Sequence, residues 1–456
     1  MTWLLWTVLF IMEIGFAAYE FVGKSTKKEW TKRRMLVSIS EKVVYLLMLL
    51  LPGIDFGFRF KGLWILLTIR ILIALIVWLK NRGNDMPKKK AGIVLSAIGS
   101  LIIITLSMIP AFLFKDYNGR PTTGEYDVAQ LSTILVDKSR VEEFETDGSN
   151  REVPAHFFFP EGIENMDGEK LPLVVFSHGA FGYYESNAST YLELASNGYV
   201  VVSLDHPYHA FYTKDTDGKT IIVNMDFFNS ALTIGGSDDE FDEEYIYGYT
   251  SKWMKLRMDD TNFVLDTLID SANKGEANEA VFYDEKDTDT LKAVLNHIDT
   301  DKIGLMGHSL GGATAVTVGR RDDVSAVIDF DGTMLGEELG VKDGEAVINE
   351  EPYTTPLLCF DSQNHHDGRV LYKQTGVLYA NNVVMSNATE GFETYFKGAE
   401  HMDYTDLPLF APGLAKMLGA GDINHEETID KMNEITLNFF NCYLKDGAKF
   451  SVNESY

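Results

Sequence analysis

Residues Ile303–Gly319 read IGLMGHSLGGATAVTVG, and the fold is decided by this stretch. A short apolar run, Ile303–Met306, passes without a linker into Gly307-His308-Ser309-Leu310-Gly311, a G-x-S-x-G pattern. Small residues at helical spacing follow, so the order is strand, sharp turn, helix. Glycines on both sides of Ser309 suit such a turn because a side chain there would strike neighbouring backbone. The turn lifts the serine hydroxyl to a sheet edge and sets it at a helix N-terminus, which is the setting of a nucleophile.

Working outward, apolar runs expected to be strands are Pro154–Pro160, Leu171–Ser177, Tyr199–Leu204, Ser325–Phe330, Pro356–Phe360 and Phe392–Phe396. Helical spacing is read at Tyr191–Gly198 and Trp253–Ala272. Continuous apolar strands alternating with helices predict a mostly parallel sheet with helices on both faces. An insertion near 207–250 carries Phe227, Phe228, Phe241, Tyr245, Tyr247 and Tyr249. It forms either an aromatic lid or a helical cap with its own small core. The acidic run Ser237–Glu244 reads as a solvated loop, since its spacing does not match a calcium-binding loop.

A nucleophilic serine needs a base, and the base needs an orienting acid. His401 follows the strand Phe392–Phe396 through a short loop, as a base delivered after the last strand would. His425 lies in an acidic helical stretch, and His365 and His366 lie beyond an earlier strand, so all three are poorer candidates. For the acid, Asp331 and Asp361 each end a strand after the nucleophile helix, and position leaves them level; Asp329 is deeper in its strand. Oxyanion donors are expected from the N–H of Leu310 and from Ala180, next after the turn Ser177-His178-Gly179. His178 either braces that turn or takes part directly. The segments His206–His209 and His365–Asp367 lack the spacing of a strong metal site. No cofactor or metal is expected.

The 456-residue chain has a net charge of −27, but unevenly. Residues 1–114 carry 15 Lys+Arg against 6 Asp+Glu; the rest carry 25 against 61. So acidic a second part repels nucleic acid. Cys359 and Cys442 are the only cysteines, too few for a disulfide framework. Within residues 1–114, Ala91–Phe114 is 24 residues without a charge, enough to cross a hydrocarbon core of about 30 Å. Gly62–Leu79 with Arg70, Leu36–Ile54 with Glu41 and Lys42, and residues 2–22 with Glu13 and Glu20 make four expected spans. Basic loops at Lys24–Arg34 and Lys80–Lys90 are expected in the cytoplasm, which leaves everything after Phe114 outside. Glu13 and Arg70 are expected either to pair between helices or to form a small transport or sensing site. Residues 115–124 read as a linker to a second domain at 125–456.

Four blocks, Phe176–Gly182 (FSHGAFG), Gly307–Gly312 (GHSLGG), Phe330–Thr333 (FDGT) and Gly398–His401 (GAEH), resemble signature blocks of the plasma-type platelet-activating-factor acetylhydrolase family of α/β-hydrolases. Leu135–Arg140, Asp147–Arg151 and the helix around Leu256–Leu268 fit as well, so the likeness covers roughly residues 120–445 and leaves out the membrane segment. The resemblance implies a catalytic Ser309–His401–Asp331 set, with Asp331 preferred over Asp361, and Ala180 and Leu310 as the oxyanion pair. It also implies hydrolysis of short-acyl esters, including phospholipid esters. A departure is Phe330–Thr333, where mammalian members carry an aromatic residue soon after the acid. The expectation is a membrane-anchored serine esterase acting through an acyl-enzyme, with its catalytic domain outside the cytoplasm. The rivals are a membrane sensor or transporter with a hydrolase-like binding domain, and an acyltransferase acting on a surface polymer. Nothing in the sequence indicates oligomeric state.

Overall fold

The computed structural model describes residues 1–166, 168–236, 241–278, 281–283 and 288–456. The chain divides into two compact units, residues 1–118 with 409–414, and residues 119–408 with 415–456.

The first unit is a helical bundle of Thr2–Val22, Lys27–Met48, Phe58–Lys80 and Lys90–Ser107, closed by the short helix Ile109–Leu113. Leu5, Leu9, Tyr45, Phe60, Leu63, Leu67 and Ile104 form its centre. Much of the outward surface is Leu and Ile, as expected where the solvent is hydrocarbon. Among the described residues three helices are long and apolar enough to cross a membrane, the first, third and fourth. The second helix is of similar length, at 22 residues, but less apolar. The second helix begins at Lys27 and takes in the basic residues assigned to a loop, with Lys32, Arg33 and Arg34 in its first turns, which lowers its apolar content. Arg33 pairs with the buried Glu20 at 2.9 Å, and Arg34 reaches inward. Glu13, fully buried, receives both ends of the Arg34 guanidinium at 2.6 Å and also Arg70. Glu41 lies 3.2 Å from Arg70. The expected Glu13–Arg70 pairing is thus part of a four-residue network.

The second unit is built on one nine-stranded sheet. Its strands are β1 (Val128–Val141), β2 (Asn150–Pro160), β3 (Leu171–Ser177), β4 (Val200–Leu204), β5 (Phe282–Tyr283), β6 (Ile298–His308), β7 (Ala326–Phe330), β8 (Leu357–Asp361) and β9 (Gly391–Tyr395). They lie in the order β9-β8-β7-β6-β3-β4-β2-β1-β5. Neighbours from β4 to β9 are parallel, whereas β1, β2 and β5 pair antiparallel. The fully buried runs of β3, β4, β7 and β8 are what a sheet covered on both faces requires. The helices Ala188–Ser196, Glu243–Lys274, Leu310–Val318 and His425–Leu444 supply the cover. This is the α/β-hydrolase architecture. The chain leaves β3 toward β4 on one side and returns to β6 on the other. Strand order therefore reverses at β3, and the crevice at the carboxyl ends of β3 and β6 is where such sheets bind ligands.

Candidate active site

Ser309 sits just past β6 with φ 56° and ψ −124°. A non-glycine residue holds that conformation only when its surroundings force it. Here the Ser309 N–H donates to the Phe330 carbonyl at 2.9 Å. A Cβ at Gly311 would collide with the Ser177 carbonyl, and one at Gly307 with the backbone of Gly311. The glycines let the helix Leu310–Val318 start directly against the end of β3. Asp331 leaves β7 in the same way, with φ 54° and its N–H on the Phe360 carbonyl at 2.7 Å.

His401 reaches the crevice from the loop after β9. Its Nδ1 donates to Asp331 Oδ2 at 2.7 Å, and its carbonyl accepts from His308 Nε2 at 3.0 Å. Asp331 is buried, while the His401 side chain is 43% exposed, so the carboxylate is shielded and the imidazole is open to the crevice. Burial alone would raise the Asp331 pKa, but hydrogen bonds from His365 and His401 hold its carboxyl well below the usual range. Ser309, Leu310, Asp331, His365 and His401 line one cavity of about 450 Å³. Among the described residues no hydrogen bond joins Ser309 Oγ to His401. Such contacts are commonly loose before substrate binds. Asp361 takes a different partner, Arg369 at 2.5 Å, and makes no hydrogen bond to His401. Burial pushes its carboxyl up against the opposing charge of Arg369.

His365 is the residue that sequence reasoning passed over. Its Nδ1 donates to Asp331 Oδ1 at 3.0 Å and its Nε2 meets Tyr379 Oη at 2.7 Å. Asp331 therefore carries a histidine on each oxygen, with the Ser362 N–H also on Oδ1 at 2.5 Å. Burial would lower the His365 pKa, yet the hydrogen bond and charge of Asp331, helped by Asp361, raise it. The signal lay in Ser362-Gln363-Asn364-His365. Ser362 caps the helix Gln363–Thr375 by accepting from the His365 N–H at 3.3 Å, which turns His365 back toward the strand ends. Donor atoms of Asp331, Asp361 and His365 lie within 4.8 Å of one another, a spacing that suits a cation. Arg369, His401 and the Ser362 N–H already occupy the carboxylate oxygens, so the set reads as a hydrogen-bonded cluster.

The facing wall is the turn after β3. Neither the Ala180 nor the Leu310 N–H is engaged by an acceptor among the described residues. His178 braces this turn: its Nδ1 donates to the Gly179 carbonyl at 2.6 Å and its Nε2 accepts from the His206 N–H at 3.2 Å. Burial, and then the charge of Arg257, hold it neutral. Arg257 donates to the carbonyls of both His178 and Gly179. Behind them Ser177 Oγ meets His206 Nε2 at 2.8 Å and His206 Nδ1 meets Asp260 at 3.0 Å, a second Ser–His–Asp chain with no access to solvent. His206 and His209, considered above as metal ligands, are thus part of the support of the turn.

The insertion folds as a hairpin (Tyr212–Lys214 with Thr220–Ile222), the helix Met225–Gly236 and the first turns of Glu243–Lys274. Val223, Phe227, Ile234, Trp253 and Met254 form a small core that also takes in Leu310 and Ala313. The insertion is thus a helical cap whose small core is shared with the helix Leu310–Val318. Phe181 packs on Phe227 and Phe228, with ring centres 5.5 and 4.8 Å apart, and Phe227 stacks on His209 at 3.8 Å. Half of the acidic run Ser237–Glu244, residues 237–240, lies outside the described residues; of the rest, Asp242 caps the helix Glu243–Lys274 and Glu243 and Glu244 open it, where a loop was expected.

Comparison with known proteins gives consistent results. The family model described as platelet-activating factor acetylhydrolase, isoform II, matches residues 160–453. The dog platelet-activating factor acetylhydrolase (Canis lupus familiaris) is 26% identical over 288 residues, 61% of this chain and 58% of that protein. The chicken protein of the same name (Gallus gallus) is 25% identical over 301 residues, 61% of this chain and 63% of its own length. The chain thus spans about three fifths of these relatives. A ferulic acid esterase from Streptomyces cinnamoneus superposes with a TM-score of 0.50 at 18% identity, covering 72% of this chain and 93% of the esterase, a likeness of fold. Because the family model accounts for well over half of its residues, this chain belongs to the platelet-activating factor acetylhydrolase, isoform II, family.

Proposed function

We propose that this protein is a membrane-anchored serine hydrolase of carboxylic esters, short-acyl lipid or phospholipid esters among them. The observation that carries the reading is the 2.7 Å bond from His401 to a buried, ionised Asp331, beside a strained Ser309 on the same cavity. In the proposed reaction Ser309 Oγ attacks the ester carbonyl while His401 Nε2 takes its proton. Asp331 stabilises the imidazolium so formed. The N–H groups of Ala180 and Leu310 hold the oxyanion, and each such donor contributes about 10²–10³ in rate. His401 then protonates the leaving alcohol, and water, deprotonated by the same imidazole, releases the acid from the acyl-enzyme. No step requires a cofactor. Membership in an acetylhydrolase family and relatives named for acetyl esters support the short-acyl reading. The apolar helices support anchoring, and the basic segment Lys80–Lys90, where the third helix ends and the fourth begins, supports a catalytic unit on the outer side.

The test applies a membrane-impermeant fluorophosphonate to intact cells expressing wild type or Ser309→Ala. Labelling in wild type that vanishes in the variant is expected. Labelling only after lysis overturns the topology, and equal labelling of the two overturns Ser309 as nucleophile.

A further inference from the structure

The cavity that holds Ser309 and His401 is lined by a second carboxylate besides Asp331, that of Glu400. Asp331 is fully engaged, with Ser362 and His365 on one oxygen and His401 on the other. Glu400 is differently placed. It precedes His401 in the chain and is half-buried in the cavity wall. Asn364, which lines the same wall, donates to its Oε2 at 2.8 Å. The Glu400 side chain also accepts from the Asp403 N–H, and its own N–H donates to Asp403 Oδ2 at 2.8 Å, so the turn His401–Tyr404 fixes the carboxylate. These partners are neutral amides. Among the described residues Glu400 makes no ion pair, and neither lysine nor arginine lines the cavity. Partial burial, and after it the charges of Asp331 and Asp403, push its carboxyl up from the usual value, as expected of an anion set among anions without a cation to match it.

We infer that Glu400 selects esters by charge: it favours an alcohol that carries an ammonium group near the scissile bond and rejects one that carries an anion there. The cavity has a volume of about 450 Å³. Salt screens charges over about 10 Å at 0.1 M, which is no shorter than such a cavity is wide, so a charge on a bound ester is felt by Glu400. At a separation of about 6 Å and an effective dielectric of about 40, one unit charge shifts an equilibrium about tenfold, for a cation and against an anion. An anion would also give up its water for a wall that holds no cationic partner. The inference rests on the hydrolase reading of this cavity and narrows it. Of the short-acyl esters, those with a phosphate adjoining the ester are the poor substrates, and uncharged or ammonium-bearing alcohols are the good ones.

The test measures kcat/KM by pH-stat for three acetate esters of similar shape on the full-length protein in maltoside micelles. They are acetylcholine, its uncharged isostere 3,3-dimethylbutyl acetate, and the anionic 3-acetoxypropanesulfonate. Each charged ester is read as a ratio to the uncharged one, which cancels any effect of a variant on the triad itself. Glu400→Gln, which keeps the shape of the side chain, should lower the ratio for acetylcholine about tenfold and raise that for the sulfonate about tenfold. Glu400→Asp should keep the wild-type order, and added salt should shrink the differences. Ratios unchanged in Glu400→Gln overturn the charge selection and leave the hydrolase reading standing. An equal loss on all three esters makes Glu400 a support of His401 and overturns the selection as well. Absence of turnover of all three, or turnover that survives Ser309→Ala, overturns the hydrolase reading and this inference with it.

Discussion

Replacing Asp331 with asparagine isolates the role of the acid, because the surrounding donors dictate how the new amide must lie. Oδ1 of Asp331 receives the Ser362 N–H at 2.5 Å and His365 Nδ1 at 3.0 Å, while Oδ2 receives His401. In Asp331→Asn the single remaining oxygen turns toward the two donors, and the NH₂ group faces His401. His401 must then accept at Nδ1, which places its proton on Nε2 and leaves it unable to take the proton of Ser309. The same loss of tautomer in serine proteases costs about 10⁴ in kcat, or about 5 kcal/mol of barrier. Asp361→Asn removes a partner of Arg369, which keeps its pairing with Glu393. It should cost about 1–3 kcal/mol of stability but less than tenfold in turnover. The assay is kcat/KM on a short-chain p-nitrophenyl ester, with the melting temperature of each variant measured in parallel. Turnover in Asp331→Asn within tenfold of wild type, or a greater loss in Asp361→Asn, would refute this assignment of the acid.

Two further predictions concern pH. His365 faces Asp331, Asp361, Arg369 and Tyr379, and its folded pKa is raised. Its charged form stabilises the fold below the unfolded pKa of about 6.5, and that contribution is lost as pH rises through the folded value. His365→Asn should therefore lower the melting temperature more at pH 6 than at pH 9. It should also make the acid limb of kcat/KM shallower, because a protonated His365 competes with His401 for the charge of Asp331; an identical limb would refute that competition. The buried His178, His206, His209 and His308 have the opposite sign, each held below its ordinary value by burial above all, His206 at about 4 and His308 at about 3. The unfolded chain takes up their protons first, so stability falls as pH drops below about 6.5, by up to about 1.4 kcal/mol per pH unit for each histidine. Thermal melts of the hydrolase unit from pH 7.5 to 5.5 should fall steeply, and a flat profile would contradict the neutral burial of these rings.

Much of the catalytic unit could be read from the chain because the features that build it are local. An apolar strand, a glycine-flanked serine and a helix of small residues are contiguous, and the ends of β7, β8 and β9 each announce themselves by an apolar run closing on a polar residue. What could not be read is what depends on contacts between distant segments. Asp331 and Asp361 end adjacent strands in register, and only the fold shows that one meets His401 and the other Arg369. His365 was judged by its place in the chain order of the base, whereas its role follows from the helix cap at Ser362. The paired strand β1 was overlooked because its exposed face interrupts the apolar pattern. In the bundle, the basic run around Arg34 reads as a loop, since nothing local shows that the helix begins at Lys27 and carries Arg34 inward to Glu13.

The cap has a consequence for how substrate comes and goes. The Leu310 side chain belongs to the core of the insertion, and Phe181, next to Ala180, packs on that same core; in the proposed mechanism the N–H groups of Leu310 and Ala180 hold the oxyanion. A lid that swung open would drag both halves of the oxyanion wall apart at every turnover and would expose a packed aromatic cluster to water. Under the proposed mechanism the cap is expected to stay packed while substrate exchanges through side-chain motion. Substitutions in the aromatic residues of the cap should then change which esters enter the cavity more than the turnover of those that fit.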